Sequence, residues 1–164
     1  TAIAHAGIGV SLIGIVAVTA WGAERIAAMK PRETIALGAY QLTFDGALPR
    51  QGPNYRELVG RFTVRVGGNV IATMEPSKRI FASRQSSTTE AALLTRGVSQ
   101  IYLSLGDIEQ DGSVAVRAYH KPLVLLIWLG AVAMFAGGAL SLSDRRLRIG
   151  APKPARKTAL QAAE

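Results

Sequence analysis

The sequence predicts an α+β membrane protein in which two transmembrane helices flank a β-rich domain of sandwich or barrel type. Three observations carry that reading. Two long stretches, 1–23 and 122–142, contain no Asp, Glu, Lys or Arg. The residues between them, 24–121, form short runs of alternating apolar and polar side chains separated by Gly-, Pro- and Asn-containing turns. A dense basic cluster, Arg145, Arg146, Arg148, Lys153, Arg156 and Lys157, follows the second stretch within the tail 143–164.

Each charge-free stretch exceeds the roughly 20 residues that an α-helix needs to cross bilayer hydrocarbon. Two core helices of that composition would be extreme within one small domain. A secretory signal is excluded for the first stretch: no basic residue precedes it, and it outruns the apolar length of about 7–15 residues typical of a signal. The sequence opens on Thr1 rather than Met and reads as part of a longer chain with further helices before it. Trp21 falls at a helix end, where indoles favour the membrane interface. Trp128 lies deeper and could face a partner helix.

Lys and Arg immediately beyond a spanning helix mark the cytoplasmic side. The basic tail therefore places the C-terminus in the cytoplasm and the domain 24–121 on the far side of the membrane. Arg25, Lys30 and Arg32 oppose this only weakly, because long loops translocate largely regardless of charge.

Within the domain, Thr34 to Leu37 leads through Gly38 into the alternating run Tyr40 to Phe44. Arg61 to Val66 puts Phe62, Val64 and Val66 on one face, and Gly67-Gly68-Asn69 turns the chain into Val70 to Met74, a hairpin signature. Arg79 to Ser83 predicts a short strand. Gln100 to Leu105 and Ser113 to Tyr119 predict a closing pair, turned at Asp111-Gly112. The spacing of these strands suggests a small sandwich or barrel. Thr89 to Thr95 reads as a short helical turn.

The chain has no cysteine, which removes disulfide support and thiolate ligation. Its net charge is +8 with a pI near 10.4. No compact basic patch interleaved with aromatics accompanies that charge, so a nucleic-acid partner is not indicated. No nucleophile–base pair, paired-carboxylate site or metal-ligand spacing is visible. Asp107, Glu109 and Asp111 alternate around a turn and read as a solvated loop.

His5 is the most informative residue. It is ionisable within an uncharged predicted membrane helix, which makes it a functional candidate. Neutral imidazole is a common haem-iron ligand. A hydrogen bond between helices is the other reading, and both stay open. Ala2, Ala4, Ala6, Gly7, Gly9 and Gly14 surround it, the composition that permits close approach by a helix or a flat cofactor. His120, at the end of the last strand, is either an interfacial side chain or a contact to a haem propionate or iron. Lys78 and Arg79, within Pro76-Ser77-Lys78-Arg79, form either a solvated basic edge or a carboxylate-binding pair. Gly52-Pro53-Asn54-Tyr55 is a turn whose Tyr55 docks on the domain or the membrane face.

Taken together these residues resemble the C-terminal region of the CcmF/CycK family, the haem lyase subunit of cytochrome c maturation. The resemblance runs through Ala4-His5-Ala6-Gly7, Gly52-Pro53-Asn54-Tyr55, Pro76-Ser77-Lys78-Arg79 and Thr89-Glu90-Ala91-Ala92. It continues through Ile101 to Gly106, Val116-Arg117-Ala118-Tyr119, Lys121 to Val124, Ile127-Trp128-Leu129-Gly130, Gly137-Gly138 and Asp144-Arg145-Arg146. It implies a periplasmic domain between two helices of a many-helix protein in the bacterial inner membrane. It also implies haem b as cofactor, with His5 matching one of two axial ligands to the haem iron, and a role in haem transfer or attachment to apocytochrome c. The partners implied are haem, the haem chaperone CcmE, CcmH/CcmI-type subunits, apocytochrome c and membrane lipid. His120, Lys78, Arg79, Tyr55 and Trp128 are further candidates for haem or partner contact. The family's tryptophan-rich haem-handling segment and second axial ligand are not in this sequence, and Leu125-Leu126 stand where the family often has Arg-Trp. A membrane-anchored scaffold or docking domain that binds no haem is the alternative.

Overall fold

The structure, a computed structural model, describes residues 2–81 and 86–143. The chain begins with α1 (Ala2–Trp21). Ten strands follow: β1 (Ala23–Met29), β2 (Thr34–Leu37), β3 (Tyr40–Gln51), β4 (Tyr55–Val66), β5 (Asn69–Met74), β6 (Ser77–Phe81), β7 (Ser87–Glu90), β8 (Ala92–Arg96), β9 (Ser99–Ile108) and β10 (Val114–Lys121). The described chain closes with α2 (Leu125–Ser143). Both helices are long and apolar enough to cross a membrane. The predicted basic cluster from Arg145 onward lies outside the described residues.

The strands form a sandwich of two antiparallel sheets. One sheet has four strands in the order β1-β10-β9-β8. The other has six, with β2-β3-β4-β6-β7 in line and β5 also paired to β4. The long strand β4 has two successive partners along one side: Phe62–Val66 pair with β5, and Tyr55–Val59 pair with β6. The break between those partners is Glu75-Pro76, and Gly60 donates its N–H to the Pro76 carbonyl at 2.9 Å. Proline suits that position because it cannot supply a ladder donor of its own. The strands β7 and β8 are separated by Ala91 alone yet belong to different sheets, so this segment closes one side of the sandwich.

The core lies between the sheets. Leu37, Leu42, Phe44, Phe62, Val64 and Met74 come from the six-stranded sheet, and Met29, Ile101, Leu103, Leu105, Val114, Val116 and Ala118 from the four-stranded one. Each is at most 3% exposed, and the alternation of strand side chains explains why they recur at every second position. Phe44 and Phe62 face each other across β3 and β4 with ring centroids 4.9 Å apart.

The predicted turns at Gly67-Gly68 and Asp111-Gly112 are present, a further hairpin turns at Gly38 between β2 and β3, and each of these glycines has a positive φ. The segment Thr89 to Thr95, read as a helical turn, is instead strand: β7 and β8 pair with β6 and β9. Its Thr-Glu-Ala-Ala-Leu-Leu composition favours helix locally, and cross-strand pairing overrides that weak preference. The predicted strand Arg79 to Ser83 is β6, which starts two residues earlier, and its last two residues lie outside the described ones.

The two helices pack through glycine. Cβ atoms built on Gly7, Gly130 and Gly137 would lie 2.6, 2.4 and 2.6 Å from backbone atoms of the facing helix. A Cβ on Gly138, one residue along, meets nothing within 4 Å. Replacing Gly130 by Leu is expected to force the helices apart and lower the melting temperature of the detergent-solubilised protein, while Gly138→Leu leaves it unchanged. Equal melting temperatures for the two variants would show that the seam does not support the fold.

Candidate functional site

The face of α1 turned toward α2 carries Ala4, Gly7, Ser11, Gly14 and Ala17. Gly7, Gly14 and Ala17 are buried, and the Ser11 hydroxyl donates to the Ile127 carbonyl at 3.0 Å. At 100° per residue, His5 lies roughly 150° around the helix from the centre of that seam. It is exposed, on the face shared with Ile8, Leu12, Ile13 and Val16, all 47–57% exposed. Gly9, one turn further on, has open space where a Cβ would sit. Seven residues apart, Gly7 and Gly14 share one helix face suited to close approach by a helix or a flat cofactor; the structure seats that face against α2 and leaves Gly9 beside His5.

The other end of the helix pair merges with the sandwich. Gly22 donates to the Val18 carbonyl at 3.1 Å, so α1 runs straight into β1. Between β10 and α2, Leu123 takes a left-handed φ of 53°. Its N–H donates to Ser99 Oγ at 3.1 Å, and Leu125 donates to the Val98 carbonyl at 3.1 Å. The junction is therefore tied to the β8–β9 turn.

His120 belongs to this junction. It is half-buried, with its ring 5.2 Å from that of Tyr40, and it lines a cavity of about 210 Å³ with Val18, Gly22 and Lys121. Burial holds its imidazole below the ordinary histidine range, in the neutral form. His5 lies sixteen residues before the end of α1, about 24 Å along the axis. The two imidazoles therefore cannot ligate one iron. Among the described residues no group of three or more His, Asp or Glu side chains is placed to hold a metal ion. Trp21 and Trp128 are 67% and 68% exposed.

Lys78, Arg79 and Tyr55 lie at the end of the sandwich remote from the helices. There Glu57 is buried on β4 between Arg50 of β3 and Arg79 of β6, its register partners. Arg79 Nε donates to Glu57 Oε2 at 2.8 Å, Ser77 Oγ donates to the same oxygen at 2.9 Å, and Arg50 binds the other oxygen. Arg79 also pairs with Glu90 at 2.8 Å and lies 4.6 Å over the Tyr55 ring. Lys78 is paired with Asp107. Tyr55 packs back over Gly52, where a Cβ would lie 2.4 Å from the ring.

The Pro76–Arg79 and Thr89–Ala92 segments are thus joined through Glu57, Arg79 and Glu90, and their charges are committed within the domain. Glu57 was not singled out in the sequence. The hairpin itself held the signal: a tip at Gly52-Pro53-Asn54-Tyr55 places Arg50 opposite Glu57.

Residues 20–122 match the family described as CcmF C-terminal beta-sandwich. The cytochrome c-type biogenesis protein CycK of Bradyrhizobium diazoefficiens is 60% identical over 164 residues, covering 99% of this chain and 25% of the relative. CycK of Rhizobium meliloti is 52% identical, covering 96% of this chain and 23% of the relative. CcmF of Pseudomonas aeruginosa is 41% identical, covering 90% and 22%. The chain spans about a quarter of the length of these relatives. A solved structure of a cytochrome c heme lyase CcmF superposes with a TM-score of 0.70 at 13% identity, covering 87% of this chain and 24% of that one. At that identity the likeness bears on the fold.

Hydrogen bonding to Arg79 first, with Arg50 and Ser77, holds the Glu57 carboxyl down to about 2. A carboxylate with a depressed folded pKa stabilises the fold above its ordinary value of 4.5, and that contribution is lost as pH falls toward 2. Glu57→Gln is expected to cost about 1–3 kcal/mol at neutral pH, since it leaves the arginines short of a charged acceptor. It should also flatten the decline in denaturation midpoint between those pH values. An unchanged acid limb in the variant would assign the decline to other carboxylates.

Proposed function

The chain belongs to the CcmF family, whose C-terminal β-sandwich it carries, and from that premise we propose that it is part of a cytochrome c-type biogenesis haem lyase. In this reading residues 1–23 and 122–142 cross the bacterial inner membrane, 24–121 is periplasmic and 143–164 is a basic cytoplasmic tail. The protein binds haem b in the membrane and supports haem transfer and attachment to apocytochrome c, alongside subunits of the CcmE, CcmH and CcmI type.

The observation that carries the haem assignment is the setting of His5. Its face of α1 is turned away from the glycine seam with α2 and is exposed. Gly9 on that face leaves the room that a planar macrocycle needs. A neutral imidazole donates an electron pair to haem iron, and ligation offsets the cost of placing the group at membrane depth. Haem bound there would supply an electron-transfer centre. His5 would ligate its iron, and Ile8 and Leu12 would exclude water. The second ligand belongs to the remainder of a longer protein. Lying about 24 Å from the sandwich along α1, this haem is a resident redox group, remote from the periplasmic place of attachment. Lys78, Arg79 and Tyr55 are structural in this reading, and Trp128 faces lipid or another helix.

A reduced-minus-oxidised visible spectrum of the full-length protein tests the assignment. His5→Ala is expected to lose the b-type signal while the sandwich stays folded by circular dichroism. His5→Gln separates the alternatives, because an amide can hydrogen-bond to a helix but ligates iron poorly. Normal haem content in both variants would remove His5 as a ligand and move the haem elsewhere, and no b-type signal in the unaltered protein would favour the scaffold reading.

A further inference from the structure

The outer faces of the two sheets differ in kind. On the six-stranded sheet the polar side chains satisfy one another: Arg50, Glu57, Arg79 and Glu90 form a ladder, Arg61 pairs with Glu75 at 3.0 Å, and Thr63 donates to Asp45 at 2.7 Å. On the four-stranded sheet two outward rows run across neighbouring strands. One is Leu93–Tyr102–Tyr119–Glu24, in which Glu24 hydrogen-bonds the Tyr119 hydroxyl, and the next is Ser104–Arg117–Ile26. Leu93 is 58% and Ile26 60% exposed, and the tyrosine rings meet edge to face at 5.8 Å. Arg117 is exposed and forms no ion pair among the described residues. Directly opposite it, Ser104 is only 7% exposed, and its hydroxyl has no hydrogen-bond partner among the described residues. Both residues line a cavity of about 390 Å³ with the two tyrosines and the Lys78–Asp107 ion pair, whose charges offset each other.

A guanidinium with no ion pair among the described residues, beside a hydroxyl that reaches solvent and has no partner among them, makes a pair of donors whose complement is an anion. Tyrosine and arginine with apolar flanks are the composition of protein interfaces. Height above the membrane decides between sources of the anion, on the spanning reading proposed above. Arg117 lies four residues before Lys121, the last residue of β10, or about 13 Å along the strand. A headgroup layer extends roughly 5–8 Å beyond the hydrocarbon. Phosphates of the lipid therefore fall short of Arg117. The apolar flanks lie on the outermost strands of a sheet four strands wide, about 14 Å across, which suits a polypeptide rather than a small soluble anion.

We infer that the outer face of the four-stranded sheet docks an acidic segment of a partner protein. A carboxylate is held by Arg117 and Ser104, and apolar neighbours in the segment lie over Leu93 and Ile26, on either side of the Tyr102 and Tyr119 rings that Lys121 Nζ meets at 5.5 and 6.0 Å.

Fluorescence anisotropy of a labelled Leu-Glu-Leu-Glu-Leu-Glu peptide with the detergent-purified full-length protein tests this, with Leu-Gln-Leu-Gln-Leu-Gln as control. The acidic peptide is expected to bind about tenfold or more tightly than the amide peptide, and Arg117→Gln to erase that preference. Ser104→Ala is expected to weaken the acidic peptide alone. No binding of the acidic peptide, or equal binding with and without Arg117, overturns the proposal. So does an Arg117-dependent preference for anionic over neutral lipid nanodiscs without peptide binding, which would move the site to the headgroups. The haem spectrum of the same samples is read separately: its loss in His5→Ala with peptide binding intact bears on the haem assignment alone, and the converse bears on docking alone.

Discussion

Ala23 and His120 face each other across β1 and β10, and much of the molecule follows from that pairing. Paired strands lie about 4.8 Å apart, whereas packed helices usually keep 8–10 Å between axes. Here α1 ends immediately before β1, and α2 begins four residues after β10. The helices therefore leave the sandwich almost as close as the strands that carry them. Glycine relieves the conflict: Gly7 and Gly14 on one helix and Gly130 and Gly137 on the other let backbone meet backbone. Ser11 then adds a hydrogen bond that only such close approach allows. The left-handed Leu123 is the remaining cost, held by its bond to Ser99.

That geometry leaves no linker between helices and sandwich. The α1–β1 joint is closed by the Gly22 bond to Val18, and the β10–α2 joint by bonds to Val98 and Ser99. The domain's orientation is thereby fixed relative to the helix pair. A surface on the four-stranded sheet, which contains both joined strands, is held at a constant height and angle. Docking there needs no ordering of a hinge, which removes one of the entropic costs of association.

The sequence was legible where local chemistry and tertiary structure agree. The charge-free helices, the Gly67-Gly68 hairpin, the Asp111-Gly112 turn and the alternation at Phe62 and Val64 all follow from residues close in the chain. It was illegible where distant pairing overrides local preference. Ala23-Glu-Arg-Ile-Ala-Ala-Met is composed of good helix formers and shows no alternation, yet β10 holds it as a strand along its whole length. The segment around Ala91 crosses between sheets for the same reason. Of the candidate site, His5 was visible as a lone ionisable group. Which way it faces was not, because mean apolarity is the same all round α1. The neutralisation of Lys78 and Arg79 was hidden as well, since Glu57, Glu90 and Asp107 reach them only through the sheets.

The two sheet faces and the two helix faces pose one question each, and physical cost answers them alike. The six-stranded sheet carries many charges, but each of those in its ladder meets an opposite one, so that face asks for nothing further. The glycine seam is likewise complete, with backbone against backbone and no room for another group. His5 beside Gly9 is a polar group on an otherwise apolar helix face, and Arg117 beside Ser104 lies on a sheet face that also carries Tyr102, Tyr119, Lys121 and Glu24. An arginine in water loses little by lacking a partner, so Arg117 is tolerable until a carboxylate arrives, and the interaction is suited to reversible association. An imidazole at membrane depth has no water to fall back on. In the reading proposed above, ligation to haem iron on the side open at Gly9 would offset that cost.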